Sequence, residues 1–345
     1  MLFPATRVEY HYMELFEWSK IQKQFKGTLI LGNGASIAVD SRLSYKSLYS
    51  QVKDSKKLNS ELLGLFDYFR TSNFEFIMRL LLQSGRVNDA IHIKDDKSKE
   101  YYNLLRATLI DTIRSIHPSY QEVKPYFTKI GEYLSNFKTV LSLNYDLLVY
   151  WAMLTENERL KCQWFKDCFV NGEFKNDFRY LYLPQPPAKG STLVFYPHGN
   201  LFLVSDLYGD ELKLSRTSDD YLLETVLSKW LEKDYIPLFV SEGMSTEKFR
   251  SITRSNYLNS VYESILSKRQ GAIVIYGWSA SEQDEHIFDA LDHAGITDIA
   301  ISVHVENPEH ESYCDMIEYK LRQTHYLKQA KLYFFDSKCE GCWIY

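Results

Sequence analysis

Two hydrophobic patterns alternate along the chain. Short apolar runs bounded by Gly, Asn, Asp or Pro read as buried strands: GTLILGN (27–33), FKTVLSLNYD (137–146), TLVFYPHGNLFLV (192–204), YIPLFVSEG (235–243), GAIVIYGWS (271–279), TDIAISVHVEN (297–307) and KLYFFDS (331–337). Between them, apolar residues recur at helical spacing, as in 147–155, STEKFRSITRSNYLNSVYESILSK (245–268), EQDEHIFDALDHAG (282–295, closed by Gly295) and 309–324. Strands alternating with helices predict an α/β fold with a Rossmann-like, mainly parallel sheet covered by helices on both faces. From about 42 to 136 the pattern is helical only, in LNSELLGLFDYF, NFEFIMRLLLQ and EYYNLLRATLIDTIRSI. This stretch predicts a helical insertion after the first strand. Residues 137–345 then supply the rest of the core, with loop and hairpin elaboration, in a single domain spanning 1–345. The stretch 157–190 reads as an irregular surface loop, and LFLVSDLYGDELKLSR (201–216) as a hairpin turning at Gly209-Asp210.

Ligands of such sheets bind outside the carboxyl ends of the strands, and those ends are chemically unusual here. They read Gly32-Asn33-Gly34-Ala35-Ser36, Asn144-Tyr145-Asp146, His198-Gly199, Gly277-Trp278-Ser279 and Glu306-Asn307. A strand running into Gly-x-Gly is the entry to a nucleotide-binding βα unit, where backbone N–H groups and the helix dipole favour an anion. Two features depart from a dehydrogenase: Ile37 stands where the third glycine would fall, and no second strand ending in an acidic residue follows about 20 residues later. Each position also has a plain structural reading. Pro197 and Gly199 can bracket His198 in a turn, Asp146, Ser36 and Ser279 can cap helices, and Trp278 can pack rather than stack on a ligand. Asp284 suits the first turn of a helix, and His286 in the same EQDEHI stretch is either a ligand or a core residue. Glu75 and the basic set Lys248, Arg250 and Arg254 read as solvated or structural.

Composition narrows the classes. A net charge of −5 gives no electrostatic reason to expect nucleic acid or an anionic membrane as partner. No apolar segment is long enough to span a bilayer, and MLFPATRVEYHYMELF lacks the design of a signal peptide, so a cytoplasmic location is expected. The five cysteines, Cys162, Cys168, Cys314, Cys339 and Cys342, read as reduced thiols. CEGC is half a zinc site without a matching half, and no metal is expected.

The order of motifs resembles the sirtuin-like domains that act as NAD-cleaving effectors in bacterial anti-phage defence. GNGAS, NFEFIMRLL, SLNYD, YPHGN, IPLFVSEG, IYGWSASEQDEHI and VHVEN follow one another over about 27–307, and SEG followed by SNYL is similar to an uncharacterised branch of that superfamily. The resemblance implies that Asn144 and His198 are the catalytic pair. It also implies that NAD is the substrate and is bound by Gly32, Asn33, Gly34, Ala35, Ser36, Asp146, Gly277, Trp278, Ser279 and Asn307. The paired cysteines of a deacylase zinc ribbon are missing, which favours hydrolysis of NAD over protein deacylation. Cleaving the nicotinamide–ribose bond passes through an oxocarbenium-like centre. The leaving group is already cationic, so the reaction needs an oriented nucleophile and a base rather than an acid.

Other readings stay open. A dehydrogenase would preserve the cofactor, and a deacylase would act on an acetylated peptide. A non-catalytic sensor would hold NAD or an ADP-ribose derivative and signal to a partner protein. An NADase would also have to be kept inactive until triggered by a partner protein, a nucleotide signal or homo- or hetero-oligomerisation.

Overall fold

The computed structural model describes residues 14–44, 48–206, 208–214, 221–232, 234–240, 243–292 and 295–345. Its strands are β1 (Leu15–Phe16), β2 (Thr28–Leu31), β3 (Thr139–Ser142), β4 (Phe165–Lys166), β5 (Phe169–Val170), β6 (Glu173–Phe174), β7 (Thr192–Phe195), β8 (Gly199–Ser205), β9 (Glu211–Lys213), β10 (Ile236–Phe239), β11 (Gly271–Tyr276), β12 (Ile296–Val303) and β13 (Lys331–Asp336). Eight of them form one sheet in the order β1-β13-β12-β11-β2-β3-β7-β4. Every pairing in it is parallel. With the two-residue edge strands β1 and β4 set aside, the chain order across the sheet is 3-2-1-4-5-6. That is the Rossmann arrangement, and its order reverses between β2 and β11. The fold is therefore the expected Rossmann-like α/β architecture. β2, β3 and β7 are buried at every position, as strands covered on both faces must be.

Between β2 and β3 the main described elements are helices, at Asn33–Val39, Leu48–Asp54, Ser60–Phe69, Phe74–Ala90, Lys97–Ile116, Tyr120–Val123 and Phe127–Leu134. Two begin at asparagines legible in the sequence. Asn59 accepts from Leu62 N (2.8 Å) and Asn73 from Phe76 N (2.9 Å), each satisfying one of the free N–H groups at a helix start.

Two predicted strands lie elsewhere than the alternation suggested. The run 192–204 is broken at Tyr196-Pro197-His198, so that β7 stays in the parallel sheet while β8 leaves for a second, antiparallel sheet, β10-β8-β9-β6-β5. Pro197 has no N–H to give a ladder, and Gly199, at φ +76°, turns the chain where a Cβ would meet Leu238 O at 2.1 Å. The run 235–243 contributes β10, which pairs antiparallel with β8 rather than joining the parallel sheet. It carries Pro237 on an edge strand, where a missing N–H is tolerated. Ser241 and Glu242 of the SEG segment lie outside the described residues. The stretch 157–190 is not wholly irregular. It holds β4 to β6, each two residues long and too short to show a period in sequence. The predicted hairpin forms from β8 and β9, with Asp206 N donating to Asp210 O (2.9 Å).

The C-terminal residues pack onto the helix Asn33–Val39, where buried Trp343 donates its indole N–H to Ala35 O (2.7 Å). All five cysteines are free, and burial pushes the Cys342 thiol up. No helix of the described residues is long and apolar enough to cross a membrane.

Candidate functional site

The strand order places the ends of β2 and β11 side by side, and their loops touch backbone to backbone. Gly32 N donates to Tyr276 O (2.9 Å) and Gly34 N to Gly277 O (2.6 Å). A Cβ on Gly32 would lie 2.5 Å from Trp278 Cα, and one on Gly34 would lie 2.8 Å from Gly277 O. Gly277 sits at φ +67°, with no room for a side chain against Ala35 N at 2.3 Å. The glycines thus serve the approach of the two loops to each other. Beside them Asn33 Oδ1 is buried and makes no hydrogen bond.

The end of β3 is tied to the same loop. Asn144, almost fully buried, spends both amide hydrogens, one on Gly32 O (3.0 Å) and one on Ser36 Oγ (2.9 Å). Ser36 Oγ donates to Asp146 Oδ2 (2.5 Å), while Asp146 Oδ1 accepts from Leu148 N (2.9 Å) at the start of the helix Leu148–Leu160. Asn200 donates to Asp146 O (2.6 Å), and Leu147 N donates to His117 Nε2 (3.1 Å). Asp146 is therefore a helix-start residue and a brace for the Gly32–Ser36 turn, with its carboxylate facing inward. The amide of Asn144 leaves Oδ1 as the atom it can offer a ligand, since its donors are committed.

His198 follows the break between β7 and β8 and is buried against the same corner. Its Nε2 lies 2.8 Å from His286 Nε2, and its carbonyl accepts from Val240 N (2.7 Å). His286 opens the helix Glu285–Asp292, where Ser245 Oγ accepts from its backbone N–H (2.8 Å) and meets its Nδ1 (3.1 Å). Asp284 lies nearby, accepting from Lys248 Nζ (2.8 Å) and from the indole N–H of Trp278 (3.1 Å). Trp278 packs on Phe288 with ring centroids 4.8 Å apart.

Burial dominates the electrostatics. It drives His198 well below the ordinary histidine range, against the pull of Asp284, and lowers His286 to about 4. Burial opposes ionisation of Asp284. The Lys248 ammonium and the hydrogen bonds from Lys248 and Trp278 outweigh it and hold the carboxyl below the usual carboxylate range. Both imidazoles are thus neutral at pH 7 and able to accept a proton. Ligand atoms of His198, Asp284 and His286 lie within 4.8 Å of one another, a donor set suited to a divalent transition metal. Lys248 already supplies positive charge to Asp284, which weakens that site.

The remaining candidates are peripheral. Ser279 is exposed, and Asn307, also exposed, uses Oδ1 to accept from Glu309 N (3.0 Å) ahead of the helix His310–Gln323. Sequence reading underrated four residues. His286 and Lys248 are buried in the cluster, Ser245 holds His286, and Glu75 is a buried carboxyl group accepting from Phe239 N (2.6 Å). The Lys248–Asp284 pair joins residues 36 apart in the chain, a closeness no local pattern carries. A cavity of about 730 Å³ opens beside the cluster and is lined by Ser245, Phe249, Tyr262, Lys268, His286 and Asp289, among others.

Strand order, the glycine turns at the order reversal and the polar residues at the strand ends define a Rossmann-like α/β protein with a candidate ligand site at its topological switch point. The chain belongs to the family described as Domain of unknown function (DUF4917), whose model matches residues 29–343. No curated protein matches it.

Proposed function

We propose that this protein is an NAD+ hydrolase that cleaves the nicotinamide–ribose bond, acting as a regulated effector in anti-phage defence. One observation carries the reading. The order reversal gathers the Gly32–Ser36 turn, Asn144, His198 and the Gly277–Trp278 turn at one corner, where a dinucleotide crevice lies in folds of this order. The unpartnered Asn33 Oδ1 at that corner supports a ligand there. In this reading Asn144 Oδ1 accepts from the attacking water, and nicotinamide departs as a neutral molecule. The water's proton passes to the neutral histidine pair. Incubating purified protein with NAD+ and measuring free nicotinamide by chromatography tests it. ADP-ribose or a cyclic product should appear in step with nicotinamide, and intact NAD+ with the protein's native partners present would overturn the reading.

A second reading, a sensor that binds NAD or an ADP-ribose derivative without cleaving it, draws on a different observation. The Nε2 of His198 and the N–H of Gly34 already have protein partners. NAD binding by calorimetry without nicotinamide release would select it. As a hydrolase, the same engaged state is a resting form that a partner protein, a nucleotide signal or oligomerisation releases.

A further inference from the structure

Two imidazole nitrogens meet head to head beside the strand ends. His198 Nε2 and His286 Nε2 are 2.8 Å apart, and both side chains are buried. A ligand atom of Asp284 lies within 4.8 Å of a nitrogen on each ring. Two nitrogen lone pairs repel at such a distance unless a positive centre stands between them. A hydrogen on one of the rings is one such bridge, and a divalent metal ion is another. The neighbours are arranged as the supports of metal ligands are. Ser245 Oγ, 3.1 Å from His286 Nδ1, can take a hydrogen from that nitrogen, which leaves Nε2 bare. Ser245 is itself fixed by the His286 backbone N–H that it accepts at 2.8 Å. Asp284 gives Oδ1 to Lys248 Nζ (2.8 Å) and Oδ2 to the Trp278 indole N–H (3.1 Å). An ionised carboxylate has about four acceptor positions, so about two remain. The Lys248 ammonium lowers the affinity for a cation, yet it also holds the carboxylate in place.

We propose that His198, His286 and Asp284 form a site for a divalent transition metal of the zinc class, and that its occupant holds the protein inactive. The regulatory half of this proposal rests on the hydrolase reading. Two imidazoles and one carboxylate suit zinc, with a fourth position for water, whereas magnesium favours oxygen ligands alone. Zn–N bonds of ~2.0–2.1 Å on a tetrahedral ion put the two nitrogens ~3.3 Å apart, so the rings part by roughly half an ångström on binding. They stand on separate elements, the turn before β8 and the helix Glu285–Asp292. No proton leaves the protein: the hydrogen between the rings shifts to the far nitrogen of its own ring, and both Nε2 lone pairs go to the metal. One of those is the lone pair of His198 that would receive the water's proton during cleavage. With the ion in place, the base is occupied.

Zinc chloride is the probe. The full chain, stripped with a chelator and titrated in a calorimeter, should bind one zinc ion that His286→Gln and Asp284→Asn do not bind, and magnesium should give no heat. Ser245→Ala should weaken the binding by about 10-fold, the lower end for loss of a supporting hydrogen bond. X-ray absorption at the zinc edge of the parent should show nitrogen and oxygen at ~2.0–2.1 Å and no sulfur at ~2.3 Å, which separates this site from the free thiols of Cys339 and Cys342. That spectrum decides the ligands even where a variant fails to fold. No zinc uptake, a sulfur shell, or uptake unchanged in folded His286→Gln protein overturns the site. One equivalent of zinc should abolish single-turnover nicotinamide release, and chelator should restore it. Cleavage at the parent rate by zinc-loaded protein overturns the inhibitory role. If no nicotinamide is released with or without zinc, the hydrolase reading and the inhibitory role fall together, while calorimetry and absorption still decide the site.

Discussion

The backbone N–H of Gly34 donates to the carbonyl of Gly277 across 2.6 Å, joining the turn after β2 to the turn after β11. This contact changes what a substitution at Gly34 would report. The atoms nearest its missing Cβ, Gly277 O at 2.8 Å and Gly277 Cα at 2.9 Å, belong to backbone that cannot swing away. Gly34→Ala should therefore destabilise the fold by ~1–3 kcal/mol, the usual cost of overpacking, whether or not a ligand binds. Gly64, inside the helix Ser60–Phe69 with open space around it, supplies the contrast. Gly64→Ala should stabilise by ~0.5–1 kcal/mol. Denaturant melts of the two variants check both signs.

Asn33 offers a cleaner test of a ligand at this corner. Its buried Oδ1 has no partner, so removing it deletes a desolvation penalty rather than a hydrogen bond. Asn33→Ala should leave the melting temperature unchanged or raise it. If a ligand hydroxyl normally meets that oxygen, the same variant should weaken NAD binding about tenfold or more. Calorimetry and a thermal melt on one preparation separate the two effects, and unchanged affinity would remove Asn33 from the site.

The parts of the fold visible in sequence are those with local causes. β2, β3, β7 and β11 are apolar runs ended by Gly, Asn or Pro, and Asn59 and Asn73 announce helix starts three residues before the N–H groups they accept. Pro197 and Gly199 marked a break, but local pattern does not say which sheet a strand joins after it. Hence the alternation puts β10 in the parallel sheet, whereas it pairs antiparallel with β8. The site shows the same division. Asn144, Asp146 and His198 are legible as polar residues at strand ends. The Ser245–His286–His198 chain and the Lys248–Asp284 pair depend on how the helices Ser245–Arg254 and Glu285–Asp292 pack against the sheet edge.

Asn144 and His198 should separate in stability even where they agree in catalysis. Asn144→Ala removes two buried hydrogen bonds and leaves Gly32 O and Ser36 Oγ short of a donor, at a cost of roughly 2–4 kcal/mol. Loss of activity in that variant is therefore informative only after its folded fraction is known. Both Asn144→Ala and His198→Ala should lower nicotinamide release by about 100-fold or more. His198→Ala also strips His286 Nε2 of its hydrogen-bond partner, so its melting temperature should fall too. Activity per folded molecule, from stopped assays paired with circular dichroism, decides the matter. A His198→Ala protein that cleaves at the parent rate would return His198 to a turn residue.

The buried histidines and Glu75 predict opposite slopes of stability with pH. Burial holds His286 at about 4 and His198 well below its ordinary range, against ~6.5 for an unfolded histidine. Below pH ~6.5 the unfolded chain therefore binds up to two more protons at these positions than the native one, and stability falls as pH drops towards 4. Glu75 works the other way. Burial lifts it to about 8, against an ordinary value of 4.5, despite the hydrogen bond from Phe239 N. Between pH 4.5 and 8 the native state holds a proton that the unfolded chain has lost, so this group's contribution declines as pH rises through that window. Below ~6.5 these two and His117, lowered by burial in the same way, outweigh the one carboxyl, and well above it the carboxyl acts alone, which places their combined maximum between pH ~6.5 and ~7. Urea melts from pH 4.5 to 8.5 should show that maximum. Glu75→Gln keeps the acceptor for Phe239 N and removes the titration, so it should flatten the alkaline side and leave the acid side steeper. His286→Gln should do the reverse, weakening the acid side alone. An alkaline slope that survives in Glu75→Gln would mean that another group carries it and that the buried carboxyl is already ionised in the native protein.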